Sequence, residues 1–181
     1  MNHACKRTLS LSTCALQRGF VPGRQLIENI VDLDTEGRIY GMKAASSFAG
    51  GSGCCPILAF WDFAAAFPSV AHAWLFLVLE ARGVPDGFLA VIVAMYDMVC
   101  AFAVADGCTT FLFWILTGVL QGCPLSGMLF AIIMDPFLVK FEMDICSTGK
   151  GCVRACADDV GAALSSLHDL IIAKEIFDTA K

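Results

Sequence analysis

An α+β fold is predicted for this chain of 181 residues. The β half rests on two turn signals set between apolar, strand-prone runs: Asp106-Gly107 between Val99–Ala105 and Thr110–Leu116, and Asp158-Asp159 between Gly151–Ala157 and Val160–Ser165. The α half rests on apolar residues at helical spacing, bounded by proline and glycine. At 57% hydrophobic and 16% charged residues, the composition excludes global disorder, and the length suits one domain of ordinary size.

The elements follow in order. Residues 1–23 lack periodicity and end at Pro22-Gly23. From Arg24 onward, Leu26, Ile27, Ile30, Val31 and Leu33 fall on one stripe, which predicts a helix ending near Asp34-Thr35. The segment from Glu36 to Cys55 reads as loose, with Gly50-Gly51-Ser52-Gly53 a flexible loop. Pro56 to Phe63 reads as a buried strand with Asp62 at its far end. Pro68 and Ser69 open a helix carrying Trp74, Leu75, Val78 and Leu79, which stops at Gly83; Pro85-Asp86 open the next, to about Asp97. Pro124 starts a long helix that must tolerate or kink at Pro136, and Leu167 to Ala180 forms a terminal amphipathic helix.

Charge and cysteine content narrow the class. The net charge is −5, so the chain as a whole has no basic surface of the kind that binds nucleic acid. The first 43 residues are net positive and the remainder strongly acidic, which puts any polyanion contact on the N-terminal side. Ten cysteines occur without a single CxxC, mostly inside apolar runs, and this predicts a reduced, intracellular protein. Gly107 to Met134 carries no charge over 28 residues, enough to span a bilayer. Gly118, Gln121, Gly122 and Pro124 interrupt its middle, which argues against a span: Thr109 to Leu116 is rich in aromatics and β-formers and Leu125 to Met134 has the pattern of a buried helix, with an integral membrane protein as the lesser alternative. Lys6-Arg7 precede only a short apolar stretch diluted with Ser and Thr, a poor secretory signal.

In so apolar a chain the isolated acids are informative. Asp62 follows Phe60-Trp61, and between Ala155 and Ala173 the charges are Asp158, Asp159 and Asp169 alone. Each has an ordinary reading as a strand-end or turn residue. If the strand ending at Asp62 lies beside the hairpin tipped by Asp158-Asp159, three carboxylates meet at one end of a sheet, a cluster that repels itself until divalent metal fills it. Hard oxygen donors without His or Cys ligands favour Mg²⁺ or Mn²⁺, and two such ions suit phosphoryl transfer.

Four blocks then occur in a familiar order. Gly19-Phe20-Val21-Pro22-Gly23-Arg24-Gln25 resembles the GF-x-PGR block of the reverse transcriptase domain of non-LTR, LINE-type retrotransposons. Asp62-Phe63-Ala64-Ala65-Ala66-Phe67-Pro68-Ser69-Val70 resembles its motif A, Gly118 to Ser126 its motif B, and Cys156-Ala157-Asp158-Asp159 its motif C. The resemblance runs from about residue 17 to the C-terminus. It implies a polymerase palm in which an antiparallel sheet is covered by helices, with residues 1–55 a partial fingers segment and 56–181 a palm that ends before the thumb. It also implies RNA-directed DNA polymerase activity by two-metal transfer from a dNTP to a primer 3′-OH.

By the same resemblance, Asp62 and Asp158 are the principal Mg²⁺ ligands and Asp159 completes the acidic cluster, while the Phe63 carbonyl can join the nucleotide-side ion. Phe67 matches the steric gate against a 2′-hydroxyl, with a plain core phenylalanine as its alternative. Gln121 and Gly122 let the backbone approach the nucleotide, and Arg24 faces template–primer phosphates unless it is simply a solvated arginine. His72, His168, Cys146, Cys152 and Cys156 read as structural. Motif A departs from the family at Pro68 and motif C at Cys156, where an aromatic is usual. Upstream basic fingers residues, the later lysine motif, primer grip, thumb and an endonuclease region are not found, so another chain or region is expected to supply what the palm lacks. The expected partners are an RNA template, a DNA primer and dNTPs, in the nucleus or cytoplasm. A catalytically inactive retroelement fragment is the other reading.

Overall fold

In the computed structural model, residues 13–48 and 54–179 are described. In chain order the elements are α1 (Leu26–Phe48), β1 (Ile57–Trp61), α2 (Ala66–Ser69), α3 (His72–Ala81), α4 (Asp86–Tyr96), β2 (Cys100–Ala105), β3 (Cys108–Trp114), α5 (Ser126–Phe141), a π-helical turn Glu142–Cys146, β4 (Gly151–Cys156), β5 (Asp159–Leu164) and α6 (Asp169–Thr179). By compactness the chain divides into two units, one taking in the chain up to Ala64 together with that from Met134 onward, the other Ala65–Ile133. This division falls elsewhere than the expected boundary at residue 55, because α1 packs on the same sheet as β4 and β5.

The first unit is built on a three-stranded antiparallel sheet in the order β1-β5-β4. Trp61 pairs with Val160, and Cys156 with Asp159. Alternation sends Val153, Ala155, Val160, Ala162 and Leu164 into one core with Leu138, Phe141, Ile145, Ala173 and Ile176. Around it Trp61, Phe63, Phe137 and Phe177 interlock, with the Trp61 and Phe177 centroids 4.9 Å apart. On the opposite face Cys152 and Ala163 meet Leu33 and Tyr40 of α1. Covered on both sides, β4 and β5 are mostly apolar, with Arg154 and Asp159 as their charged residues.

Helix α1 runs 23 residues, well past Asp34-Thr35. The expected apolar stripe is not its packing face: Leu26, Ile27, Ile30 and Val31 are each more than half exposed, and of the stripe only Leu33 is buried. The buried face is Asn29, Leu33 and Ala44, and the polarity of Asn29 and the small size of Ala44 hide those two from a hydrophobicity pattern. Contact with the sheet along this face, and an i,i+4 pair of Arg38 with Asp34, keep the residues after Asp34 helical. Gly50 to Gly53, expected as a loop, lie outside the described residues.

The second unit holds α2 to α4, the β2–β3 hairpin and the start of α5. The helix expected to open at Pro68-Ser69 is two helices, because Val70 and Ala71 leave helical geometry to pair elsewhere: Gly118 N–H donates to Val70 O at 2.7 Å, and Ala71 bridges Thr117. Helix α3 stops as expected. Gly83 takes φ +65, its N–H donates to Glu80 O, and the Val84 N–H donates to Leu79 O, the paired bonds of a Schellman cap. In the β2–β3 hairpin Asp106 and Gly107 both have positive φ, as a type I′ turn requires. The uncharged stretch 107–134 is divided among β3, a loop and α5, and among the described residues no helix is long and apolar enough to cross a membrane. Pro136 is accommodated inside α5. The nine described cysteines are free thiols.

Candidate active site

Three of the predicted site residues come together at one end of the three-stranded sheet. Because Trp61 pairs with Val160, Asp62 follows β1 at the level of Asp159, the first residue of β5. Asp159 faces Cys156 across the β4–β5 hairpin, leaving Ala157 and Asp158 as the two turn residues. Motif A and motif C thus meet through strand register, although they lie about a hundred residues apart in the chain. Asp62 and Asp159 are exposed and Asp158 half-buried, and among the described residues none of the three has a salt-bridge partner. Their field is felt by Cys156: burial pushes its thiol pKa up, and the charges of Asp159 and Asp158 push it further. A cavity of about 440 Å³ opens beside Asp62 and Asp159, walled by Leu26, Ile30, Leu58 and Phe60.

The donor set fits a hard divalent cation in its chemistry, being carboxylate oxygen, and Arg154, which lines the same cavity, is paired with Asp32. Among the described residues, no three His, Cys, Asp or Glu side chains already stand as a closed metal-binding group. The expected self-repelling cluster of three is therefore looser than the sequence suggested. Mg²⁺ in sites of this chemistry is held by one or two carboxylates together with substrate phosphates, so a closed protein cage is not what it requires.

The turn carrying Asp158 is held from a segment that the sequence reading passed over. Gln17, fully buried, accepts hydrogen bonds through Oε1 from the N–H groups of Gly19 (2.7 Å) and Ala157 (2.8 Å), and donates from Nε2 to Ala157 O at 3.1 Å. Gly19 lies flush on the same turn, where a Cβ would stand 2.1 Å from Ala157 N. Leu16 O and the Arg18 N–H bond Ala155, so residues 16–18 run along β4 as an added strand segment. Beneath it Asn29 donates to Ala155 O, and Arg18 and Arg154 both bind Asp32. A lone glutamine in an aperiodic stretch carries no signal of this role beyond its place just before the GF-x-PGR block.

The Arg24 guanidinium donates to the carbonyls of Thr13, Cys14 and Gln17 at 2.6–2.9 Å and so helps to order residues 13–24. Phe63 points its ring into the aromatic core, 5.7 Å from Phe137 and Phe177, and its carbonyl is the only part suited to the expected role.

Phe67, Gln121 and Gly122 belong to the second unit. The Phe67 ring stacks nearly flat on Phe130, 4.4 Å between centroids and 13° between planes, so it is held by packing and half-buried. Its carbonyl accepts from Val119 N–H at 3.0 Å, which ties the latter half of motif A to motif B. Gln121 and Gly122 are exposed at the tip of a turn closed by Cys123 N–H to Leu120 O, with Gly122 at φ +85. Leu120 is fixed by the Tyr96 hydroxyl and the Ser126 hydroxyl, and buried His72 bonds Gly118 O through Nε2 at 2.9 Å. His72 is thus structural, as expected.

Known proteins share both the sequence pattern and the fold. The family model described as reverse transcriptase (RNA-dependent DNA polymerase) matches residues 1–180. The chain is 30% identical over 142 residues to the retrovirus-related Pol polyprotein from type-2 retrotransposable element R2DM of Drosophila melanogaster, covering 78% of this chain and 13% of that protein. It is 29% identical over 170 residues to the transposon TX1 uncharacterized 149 kDa protein of Xenopus laevis, covering 86% of this chain and 12% of that one. Among solved structures, apo telomerase from Candida tropicalis superposes with a TM-score of 0.67 at 12% identity, over 96% of this chain and 32% of that one. A form truncated from the C-terminal domain gives 0.64 at 14% identity, over 98% and 35%. At such identity the structural likeness bears on the fold alone, an α+β polymerase palm. The chain spans about an eighth of the length of these two curated relatives. With a match along nearly its whole length and retrotransposon polyproteins as relatives, the chain belongs to the reverse transcriptase (RNA-dependent DNA polymerase) family, as a domain of the non-LTR retrotransposon type.

Proposed function

We propose that this chain is the catalytic palm of a retroelement's RNA-directed DNA polymerase, with the acidic end of its sheet as the site of nucleotidyl transfer. The observation that carries this reading is the register that sets Asp62 level with Asp159 and beside the turn bearing Asp158. Asp62 and Asp158 would hold two Mg²⁺ ions, or Mn²⁺, with Asp159 and the Phe63 carbonyl as additional donors. When bound, such ions activate the primer 3′-OH and neutralise charge on the leaving pyrophosphate. The chain's own contribution is to present these carboxylates without a salt bridge to any described residue and to fix the turn that aims Asp158. Phe67, held flat by Phe130, serves as the steric gate against a 2′-hydroxyl. The exposed Gln121-Gly122 turn offers backbone without side-chain bulk to the incoming nucleotide.

The partners of this reading are an RNA template, a DNA primer and dNTPs, met in the nucleus or cytoplasm, with fingers and thumb contacts supplied by a longer polypeptide or another chain. Residues 1–55 contribute part of the fingers and 56–181 the palm. Primer extension on an RNA template with Mg²⁺ tests it, comparing the chain with Asp158→Ala. Incorporation by the unaltered chain that falls to background in the variant is expected. Equal incorporation in both overturns the assignment, and no incorporation in either favours the inactive-fragment reading.

A further inference from the structure

We propose that Gln17 is a positioning residue for the catalytic turn, its buried amide gripping both peptide groups of Ala157 and thereby setting the direction of Asp158. The inference rests on the polymerase reading above and assigns to a residue outside all four motif blocks a part in that chemistry. Ala157 lies at φ +58, a left-handed conformation that a residue with a Cβ adopts only when its surroundings hold it there. The holding contacts are the Gln17 Oε1 acceptance from Ala157 N–H and the Nε2 donation to Ala157 O. A second acceptance, from Gly19 N–H, locks the amide's own orientation.

Few other side chains can do this. Reading an N–H and a C=O of one residue needs a donor and an acceptor on the same planar group, which an amide has and an ionised carboxylate or thioether lacks. Asparagine has the amide but is one methylene shorter. A fully buried polar group is retained at a cost unless its bonds are made, and here both lone pairs of Oε1 are used. The Leu16 and Arg18 bonds to Ala155 bring the side chain to the turn, and the absent Cβ of Gly19 lets the segment lie against it.

The test uses the full chain, with Gln17→Met removing the amide at constant size and Gln17→Asn shortening it. Three readouts are taken: amide hydrogen exchange at Ala157 and at Val153 in mid-β4, Mn²⁺ affinity by loss of the free-ion paramagnetic signal, and the thermal midpoint. Protection at Ala157 is expected to fall at least tenfold relative to Val153, with Mn²⁺ affinity weakened about five- to tenfold. Gln17→Asn, the milder change, keeps the test available if Gln17→Met does not fold. A folded variant that keeps both quantities within twofold of wild type, or loses protection equally at both residues, overturns the proposal and leaves Gln17 an ordinary core residue. Asp158→Asn is the companion control: if Mn²⁺ affinity does not respond to it, the metal-dependent reading fails, while exchange at Ala157 still judges the clamp.

Discussion

At the residue scale the turn that carries Asp158 depends on close approach. Asp158 is aimed by Ala157, and Ala157 keeps a left-handed φ that costs a non-glycine residue about 1–2 kcal/mol. That conformation persists because residues 17–19 press on the turn. Gly19 is the sharpest instance, since its missing Cβ would stand within 2.1 Å of Ala157 N and 2.9 Å of two further backbone atoms. Backbone cannot swing aside as a side-chain tip does, so Gly19→Ala is expected to destabilise by about 3 kcal/mol, at the upper end of overpacking costs. Urea unfolding measures this, and a loss under about 1 kcal/mol contradicts the close approach. Glycine in the GF-x-PGR block was visible in the sequence, but its neighbour was not.

At the element scale, helix α1 shows how an amphipathic pattern can mislead. The sequence presents Leu26, Ile27, Ile30 and Val31 as a core stripe, yet the helix lies on the sheet through Asn29, Leu33 and Ala44. Polar anchoring decides the orientation: Asn29 donates to Ala155 O, and Asp32 binds Arg18 and Arg154, which fixes the helix to β4. Burial pulls the Asp32 carboxyl pKa up, but hydrogen bonds and charge from Arg154 and Arg18 outweigh it and hold the group below its usual 3.8. A carboxylate held low in the folded state stabilises fully above its unfolded pKa and loses that contribution as pH falls through the lowered value. Asp32→Asn is therefore expected to reduce stability at pH 7 and to flatten the decline below about pH 3.8 that wild type shows, as followed by urea midpoints across pH. With about a third of the Asp32 side chain exposed, solvent screening keeps the effect modest. An unchanged pH profile contradicts this pairing.

At the scale of the whole molecule, part of the apolar excess is core around β4 and β5, and part is exposed, as at Phe102, Val104, Phe111, Phe113 and Trp114 of the β2–β3 hairpin. The core beneath β4 and β5 is sealed by Trp61, Phe63, Phe137, Phe141 and Phe177, drawn from three stretches of sequence. Phe141 is fully buried at the centre of that group, in ring contact with three of its members. Phe141→Ala is expected to cost about 3–5 kcal/mol, the range for emptying a buried aromatic site. A shift in urea midpoint equivalent to less than about 1 kcal/mol means that the sheet does not depend on this cluster. The net charge of −5 places polyanion binding outside what the chain's overall field provides.

The sequence by itself determined the strands and their hairpins, the Gly83 cap and the buried helix that ends the uncharged stretch, because each is written in local spacing or turn chemistry. Only the tertiary structure decided that Arg24 binds carbonyls, that α1 turns its apolar stripe outward, that Val70 and Ala71 break a helix to pair with motif B, and that Gln17 grips the Asp158 turn. These four depend on hydrogen bonds between residues distant in the chain or on the loop path that carries a side chain to them. A buried polar group is placed by the partner that satisfies it, and that partner is known only once the chain has folded.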